Sequence, residues 1–456
     1  MTDNSAATTA TDTDWDQLCD LVLSAAGALY GKIAMLLSVC LATSKQELKE
    51  LAATIWDDDP SDLADAVEQV LEAPYVEETA SGWRMIESLA PHLARRFLSD
   101  DEESFRMAHE TLVERENRAL RELESLESSA TDDEFDDRAQ IESWFSQSRL
   151  AFYLAGVHSD QSAVKFGEAF ESAPSRDIGA ARMWLSTLVF RQEPLLGDQV
   201  RVILFFRGFR AYVSGQRNEA KRHFADIIRD DVGDIYEAIA LHLHATSVDP
   251  VSRISELQKS VTLSEQLAML ENEIMARNSL VSAYFARANK LMKSKGEKLR
   301  SLARKDLEQA LSLAELNRQR ASHMRDRSYQ IYTLTQHATA VWLVVQNKFG
   351  DATAAQREVQ EVLDELSQAR TIADSAGMVE PSLIARNQRA SVLRDVHRVS
   401  EALDELESAI QLIGPVTEKG IVRRLAKTSG SLLRDASNQD KRRITDLLNQ
   451  FDKWLD

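Results

Sequence analysis

The sequence predicts an all-α fold: a right-handed α-solenoid of stacked helical hairpins, with a small β-hairpin near its N-terminus. Three observations predict it. Only 16 Gly and 8 Pro punctuate 456 residues, which leaves long helices joined by short turns. Stripes of small or apolar residues at i, i+4 and i+7 recur at Ala220/Phe224/Ile227, Ala303/Leu307/Ala310, Val362/Leu366/Ala369 and Ala402/Leu406/Ala409, with a weaker copy at Ile254/Gln258/Val261. A helix pair cannot bury such a face without a stacked neighbour, and stacking lets a chain of this length fold without one oversized core.

Residues 1–14 have no apolar periodicity and cannot repay the entropy of ordering, so they are expected to be disordered. Between Leu21 and Ala42 the only charge is Lys32, but Gly27 and Gly31 interrupt the run, which predicts two short core helices and no membrane span. Leu29 to Leu41 reads as the second of these. Ser44 with Glu47 is a capping-box pattern that opens a helix running to about Trp56. Asp59-Pro60 starts another, with Leu63, Val67, Val70 and Leu71 on one face. Tyr75–Glu78 and Trp83–Ile86 then flank the turn Ala80-Ser81-Gly82 as a hairpin.

Leu89–Leu126 is a long helical tract broken near 99–103, where SDDEE offers a cap. SSATDDEFDD at 128–137 has no apolar face and reads as an acidic linker, and Pro174 marks a further break. The domain reading is therefore a head at 15–98, a connecting helix at 99–127, a linker at 128–137 and helical repeats at 138–456.

Three helices followed by PYVEETASGWRMIESLAPHLARRFL resemble the winged-helix module that links nucleotide-binding and repeat domains in STAND-class signalling NTPases. This chain departs from that class in having no nucleotide-binding domain. Its nearest phosphate-loop approximation, Gly27-Ala28-Leu29-Tyr30-Gly31-Lys32-Ile33, has one residue too few between the glycines and Ile33 where a hydroxyl must meet magnesium. Around Arg201–Pro250, Gly208, Gly215, Ala220 and Phe224 resemble the tetratricopeptide (TPR) repeat, whose period is about 34 residues. The stripe intervals are 34, 49, 59 and 40 residues, so only the first keeps that period. The resemblance implies a groove on first helices that captures a protein segment. Its candidate residues here are Arg207, Arg210, Asn278, Tyr284, Asn387 and Arg394.

Charge narrows the partners. Residues 1–150 hold 12 Lys/Arg against 33 Asp/Glu, and residues 151–456 hold 42 against 40. The acidic front repels phosphates and anionic lipid and favours basic protein surfaces. The helix after Asp59 carries Asp59, Asp62, Asp65, Glu68 and Glu72 with no Lys or Arg, the reverse of a DNA-recognition helix. Two basic tracts, at 287–327 and 419–443, could hold an acidic or phosphorylated segment, RNA, or the chain's own acidic front. Lys293, Lys295, Lys298 and Arg300 are the candidate anion-binding residues.

No HExxH, CxxC or GxSxG is present, and no convergent catalytic set is visible, so neither enzymatic activity nor a cofactor or metal is expected. His242 and His244, at i and i+2, point to different sides of a helix. Cys19 and Cys40 sit in apolar helical contexts and read as buried thiols. With no basic leader at the start, a cytoplasmic location is expected. The sequence thus reads as a non-catalytic adaptor or regulator with a protein partner of unknown identity, the alternative being a nucleic-acid-binding regulator that uses the basic tracts.

Overall fold

The computed structural model describes residues 12–24, 27–127, 133–174, 178–245, 250–293, 296–324, 327–349, 356–414, 417 and 419–455. They form 21 α-helices and one two-stranded sheet. The chain divides into two compact units, Met1–Ile227 and Ile228–Asp456.

In the first unit, α1 (Asp12–Ser24) and α2 (Ala28–Val39) are separated at Gly27, whose φ of +99° only glycine adopts readily. Among the described residues no helix is long and apolar enough to cross a membrane. The predicted capping box opens α3 (Lys45–Ile55): the Glu47 amide donates to Ser44 Oγ at 3.2 Å, and the Ser44 amide donates to Glu47 Oε2 at 2.7 Å. Asp59 caps α4 (Pro60–Leu71) by accepting from the Ser61 amide, with Pro60 in the first turn. Strands β1 (Val76–Thr79) and β2 (Gly82–Met85) then pair antiparallel, Val76 opposite Met85. Trp83 of β2 also exchanges both backbone hydrogen bonds with Thr43, which ties the hairpin to the turn before α3.

The break near 99–103 is a single residue, Asp101, between α5 (Ala90–Asp100) and α6 (Glu102–Glu127), and its carboxylate accepts from the Ser104 amide at 3.1 Å. The acidic linker is shorter than its sequence suggests. Helix α7 (Asp133–Leu154) already includes 133–137, and 128–132 lie outside the described residues.

Helices α8 (Ser159–Glu171), α9 (Ile178–Gln192), α10 (Val200–Val213) and α11 (Arg217–Arg229) complete the unit. Their core is aromatic: the Phe170 ring meets Phe205 and Phe209 nearly edge-on, at centroid distances of 4.9 and 4.7 Å. Ala220, Phe224 and Ile227 are buried as the stripe requires. Gly215, at φ +75°, makes the turn into α11. At Gly208 a Cβ would stand 2.8 Å from Phe224 Cε1 and 3.1 Å from His223 Cβ. Gly208→Ala is therefore expected to destabilise the first unit by about 1–3 kcal/mol despite alanine's better helix propensity. A thermal melt checks this, and an unchanged midpoint would mean that α10 and α11 have room to separate.

The second unit is a stack of five hairpins: α12 (Ile235–Ala245) with α13 (Pro250–Gln266), α14 (Leu270–Met292) with α15 (Glu297–Ala321), α16 (Arg327–Phe349) with α17 (Gln356–Ser375), α18 (Val379–Asp395) with α19 (Val399–Ile410), and α20 (Lys419–Ser431) with α21 (Asn438–Leu455). Helix lengths run from 11 residues in α12 to 25 in α15, which accounts for the uneven stripe intervals. The predicted stripes on α15, α17 and α19 are all buried. Helices α12, α14, α16, α18 and α20 form a first layer in which each touches the next. In the other layer α13, α15 and α17 barely touch one another, so this part of the stack closes more tightly on the first-layer side, whereas α19 and α21 at its end are in close contact.

Candidate functional site

First helices of stacked hairpins run in one direction, so residues at equal heights line up across the layer. One row of accessible positions on α14 is Met275, Ser279, Ser282, Ala286 and Asn289, and one on α16 is Tyr332, Gln336, Thr339, Leu343 and Gln346; Lys290, Arg327 and His337 are among the accessible residues outside these rows. Both rows step by 4, 3, 4 and 3, the spacing of one helix face. Ile384, Gln388 and Ser391 continue the face on α18, and Arg423, Arg424 and Lys427 do so on α20. Accessible residues thus stand on one side of four successive helices, with Leu343 and Ile384 partly buried against the core between them.

Polar side chains sew the layer together. On α12, His242 Nε2 lies 3.1 Å from Ser279 Oγ of α14. Gln336 of α16 donates to the Asn278 carbonyl of α14 at 2.7 Å. Gln346 of α16 donates to Asp395 of α18 at 2.9 Å. Thr428 of α20 donates to Asn387 Oδ1 of α18 at 2.9 Å, and Arg394 donates to Ser431 Oγ at 2.9 Å. These cross-helix bonds fix the register of the face, and they consume several residues that the sequence assigned to partner binding.

The Asn278 side chain turns inward and accepts from Asn317 of α15 at 2.7 Å. Asn387 and Arg394 hold α20 in place, and Arg394 is also paired with Asp395. Tyr284 is buried, at 3% exposure, and its hydroxyl accepts from Gln258 of α13 at 3.0 Å, so it is a core residue and not a contact residue. A stripe pattern cannot tell which flank of a helix the neighbouring hairpin covers. Arg207 and Arg210 lie on α10 in the first unit, both exposed. Arg207 pairs with Glu193, and Arg210 stacks 4.6 Å from the Phe190 ring centre.

Of the anion-binding candidates, Lys293, Lys298 and Arg300 are exposed around the turn from α14 to α15, and Lys295 lies outside the described residues. Elsewhere in that basic tract the charge is partly internal: Arg287 is bound to Asp306 at two points, Arg304 pairs with Glu297, and Arg320 with Glu273. Arg318 hydrogen bonds hold the Glu315 carboxylate down to about 2. His244 faces Glu256 of α13 at 2.8 Å while His242 faces α14, so the two histidines do diverge. Cys19 and Cys40 are buried and neither is in a disulfide, and burial pushes Cys40 up to about 11.

One feature of the first unit had no signal in the sequence. Arg191 of α9, almost fully buried, donates to the Ser38 carbonyl at 3.1 Å and the Cys40 carbonyl at 3.4 Å. It satisfies the orphan carbonyls at the end of α2 from more than 150 residues away.

No protein-family model matches the chain, and no curated protein matches it. Among solved structures it is similar to a circular tandem repeat protein with novel repeat topology and enhanced subunit contact surfaces. That likeness has a TM-score of 0.29 and 15% identity, and it covers 80% of this chain and 94% of the other. The fold is helical-repeat-like. Five consecutive hairpins in one stack are sufficient for that statement.

Proposed function

We propose that the chain is a non-catalytic adaptor or regulator that captures a segment of a partner protein on the first-layer face of its second unit. The observation that supports this reading is the row of accessible residues repeated at matching heights on α14, α16, α18 and α20. Such a surface is assembled from several repeats, fixed in register by hydrogen bonds, and long enough to read an extended segment. TPR-like geometry and a right-handed solenoid belong to the same reading. So does a winged-helix-like head made of α2, α3, α4 and the hairpin, whose α4 presents Asp62 and Asp65 to solvent, with Glu72 just after it, and is better suited to a basic protein surface than to DNA. By resemblance alone, the chain would be the sensor or regulatory component of a bacterial signalling, transcriptional-control or defence system, acting in the cytoplasm.

The test is affinity capture from the native host with and without nuclease, comparing the natural chain with Met275→Ser/Tyr332→Ser. The expected result is a stoichiometric protein partner that survives nuclease and is recovered about tenfold less with the variant at an unchanged melting midpoint. Equal recovery would sink the site. Loss of all partners on nuclease treatment would favour the second reading, a nucleic-acid-binding regulator. That reading is supported by Lys293, Lys298 and Arg300, which are exposed and make no ion pair among the described residues.

A further inference from the structure

Charge in the second unit is sorted by layer. First-layer helices α12, α14, α16, α18 and α20 carry 12 Lys/Arg against 5 Asp/Glu, whereas α13, α15, α17, α19 and α21 carry 14 against 18. Helices α16 and α20 contain no acidic residue at all. At the end of the layer, Arg423, Arg424 and Lys427 of α20 are exposed on one helix face and make no ion pair among the described residues. Arg443 of α21 shows the contrast, being bound to Asp404 and Glu407 of α19.

The other end of the same face carries two large exposed side chains of apolar character. Met275 on α14 and Tyr332 on α16 are 38% and 37% exposed, among the polar neighbours Ser279 and Gln336. They stand at matching heights, because one turn further along Gln336 bonds the Asn278 carbonyl. Arg423 lies about one and a half turns before Thr428, which bonds Asn387 of α18, and α18 is in turn held level with α16 by the Gln346–Asp395 bond. A solvated basic face would explain the arginines but not the apolar pair, and a purely apolar groove would not explain the missing acids.

Resting on the function proposed above, we infer that the captured segment carries an apolar side chain followed, a fixed distance along, by a run of acidic residues. The apolar side chain packs on Met275 and Tyr332, and the acids meet Arg423, Arg424 and Lys427. Packed helices lie about 8–10 Å apart, so α16 to α20 spans roughly 16–20 Å. An extended segment covers that distance in about five or six residues at roughly 3.3 Å each. Arginine suits the acidic end because its planar fork meets a carboxylate through two hydrogen bonds. Single-stranded nucleic acid fits the face less well: it needs successive aromatic platforms, and Tyr332 is the one exposed aromatic side chain among the described first-layer residues.

The probe is a fluorescent synthetic peptide with Leu, about five Gly/Ser residues and then a run of Glu, titrated against the full chain and followed by anisotropy. Comparison peptides carry Lys for Glu, Ser for Leu, or a spacer of about two residues, and an oligothymidine of equal charge is the nucleic-acid arm. The expected result is that the first peptide binds about tenfold tighter than each comparison, with affinity falling as salt rises. Arg423→Gln/Arg424→Gln should weaken it about tenfold, while Lys441→Gln/Arg442→Gln, exposed on the other layer, should leave it unchanged. Equal binding of acidic and basic peptides, equal loss with the α21 variant, or tighter binding of the oligonucleotide would each overturn the inference. If Met275→Ser/Tyr332→Ser still abolishes capture of the native partner, such a result removes only the acidic-segment assignment. If capture also persists in that variant, the site itself is wrong.

Discussion

Arg277→Met is expected to destabilise the second unit by about 3–5 kcal/mol, because it leaves a buried carboxylate without its main counter-charge. Arg277 is only 1% exposed and Glu273, one turn before it on α14, only 3%. The guanidinium donates to Glu273 Oε1 and Glu265 Oε1 at 2.6 Å each, and to Asn317 Oδ1 at 3.1 Å. Asn317 in turn donates to the Ile274 carbonyl at 3.0 Å and to Asn278, so the network ties α14 to α13 and α15. Without Arg277, the one ion pair left to Glu273 among the described residues is Arg320, at 3.4 Å.

The double variant Arg277→Met/Glu273→Met should recover most of the loss, since taking both charges out of a buried pair is far cheaper than stranding one. Urea denaturation followed by circular dichroism reads both. A single variant as stable as the parent would mean that water or rearrangement reaches Glu273, and that the layers are less tightly closed than the distances indicate.

Much of the fold was legible because its determinants are local. The Ser44–Glu47 box, the Asp59-Pro60 start and the Asp101 break each involve residues three or fewer apart, and all three stand where the sequence put them. The buried stripes on α11, α15, α17 and α19 were legible for the same reason: one helix turn repeats within seven residues. The site was not legible in that way. Whether Asn278 or Ser282 faces outward depends on where the next hairpin packs, and Tyr284 is core because α13 brings Gln258 to it. Arg191 and its carbonyl partners share no sequence pattern. A usable signal for the face was present in composition, in the absence of acids from 327–349 and 419–431, but it takes the layer assignment to show that both segments lie on one side.

Acid should weaken the first unit before it weakens the second, and His109 is the reason. The ring is fully buried on α6, with Phe105 4.5 Å away and Gly156 so close that a Cβ there would stand 2.4 Å from the ring. Nδ1 lies 2.7 Å from the Tyr153 carbonyl, which can only accept, so Nδ1 carries the proton and Nε2 is left buried without a partner. Burial pushes the ring down to about 4, partly opposed by the bond to Tyr153. An unfolded histidine titrates near 6.5, so between these values the unfolded chain binds the proton and the folded chain does not.

The stability contributed by neutral His109 is therefore complete above about pH 6.5 and lost progressively down to about pH 4, a change on the order of 3 kcal/mol. Glu315 in the second unit works in a lower window. Its depressed value means that its contribution is present above its ordinary 4.5 and lost only as the pH falls towards about 2. Trp15, Trp56, Trp83, Trp144 and Trp184 lie in the first unit, against Trp342 and Trp454 in the second, so tryptophan fluorescence weights the first. Urea midpoints by fluorescence should fall between pH 6.5 and 4.5, and His109→Gln, whose amide can still donate to Tyr153, should flatten that slope. A slope unchanged in His109→Gln would place the acid sensitivity elsewhere and mean that the buried ring accepts its proton without opening the fold.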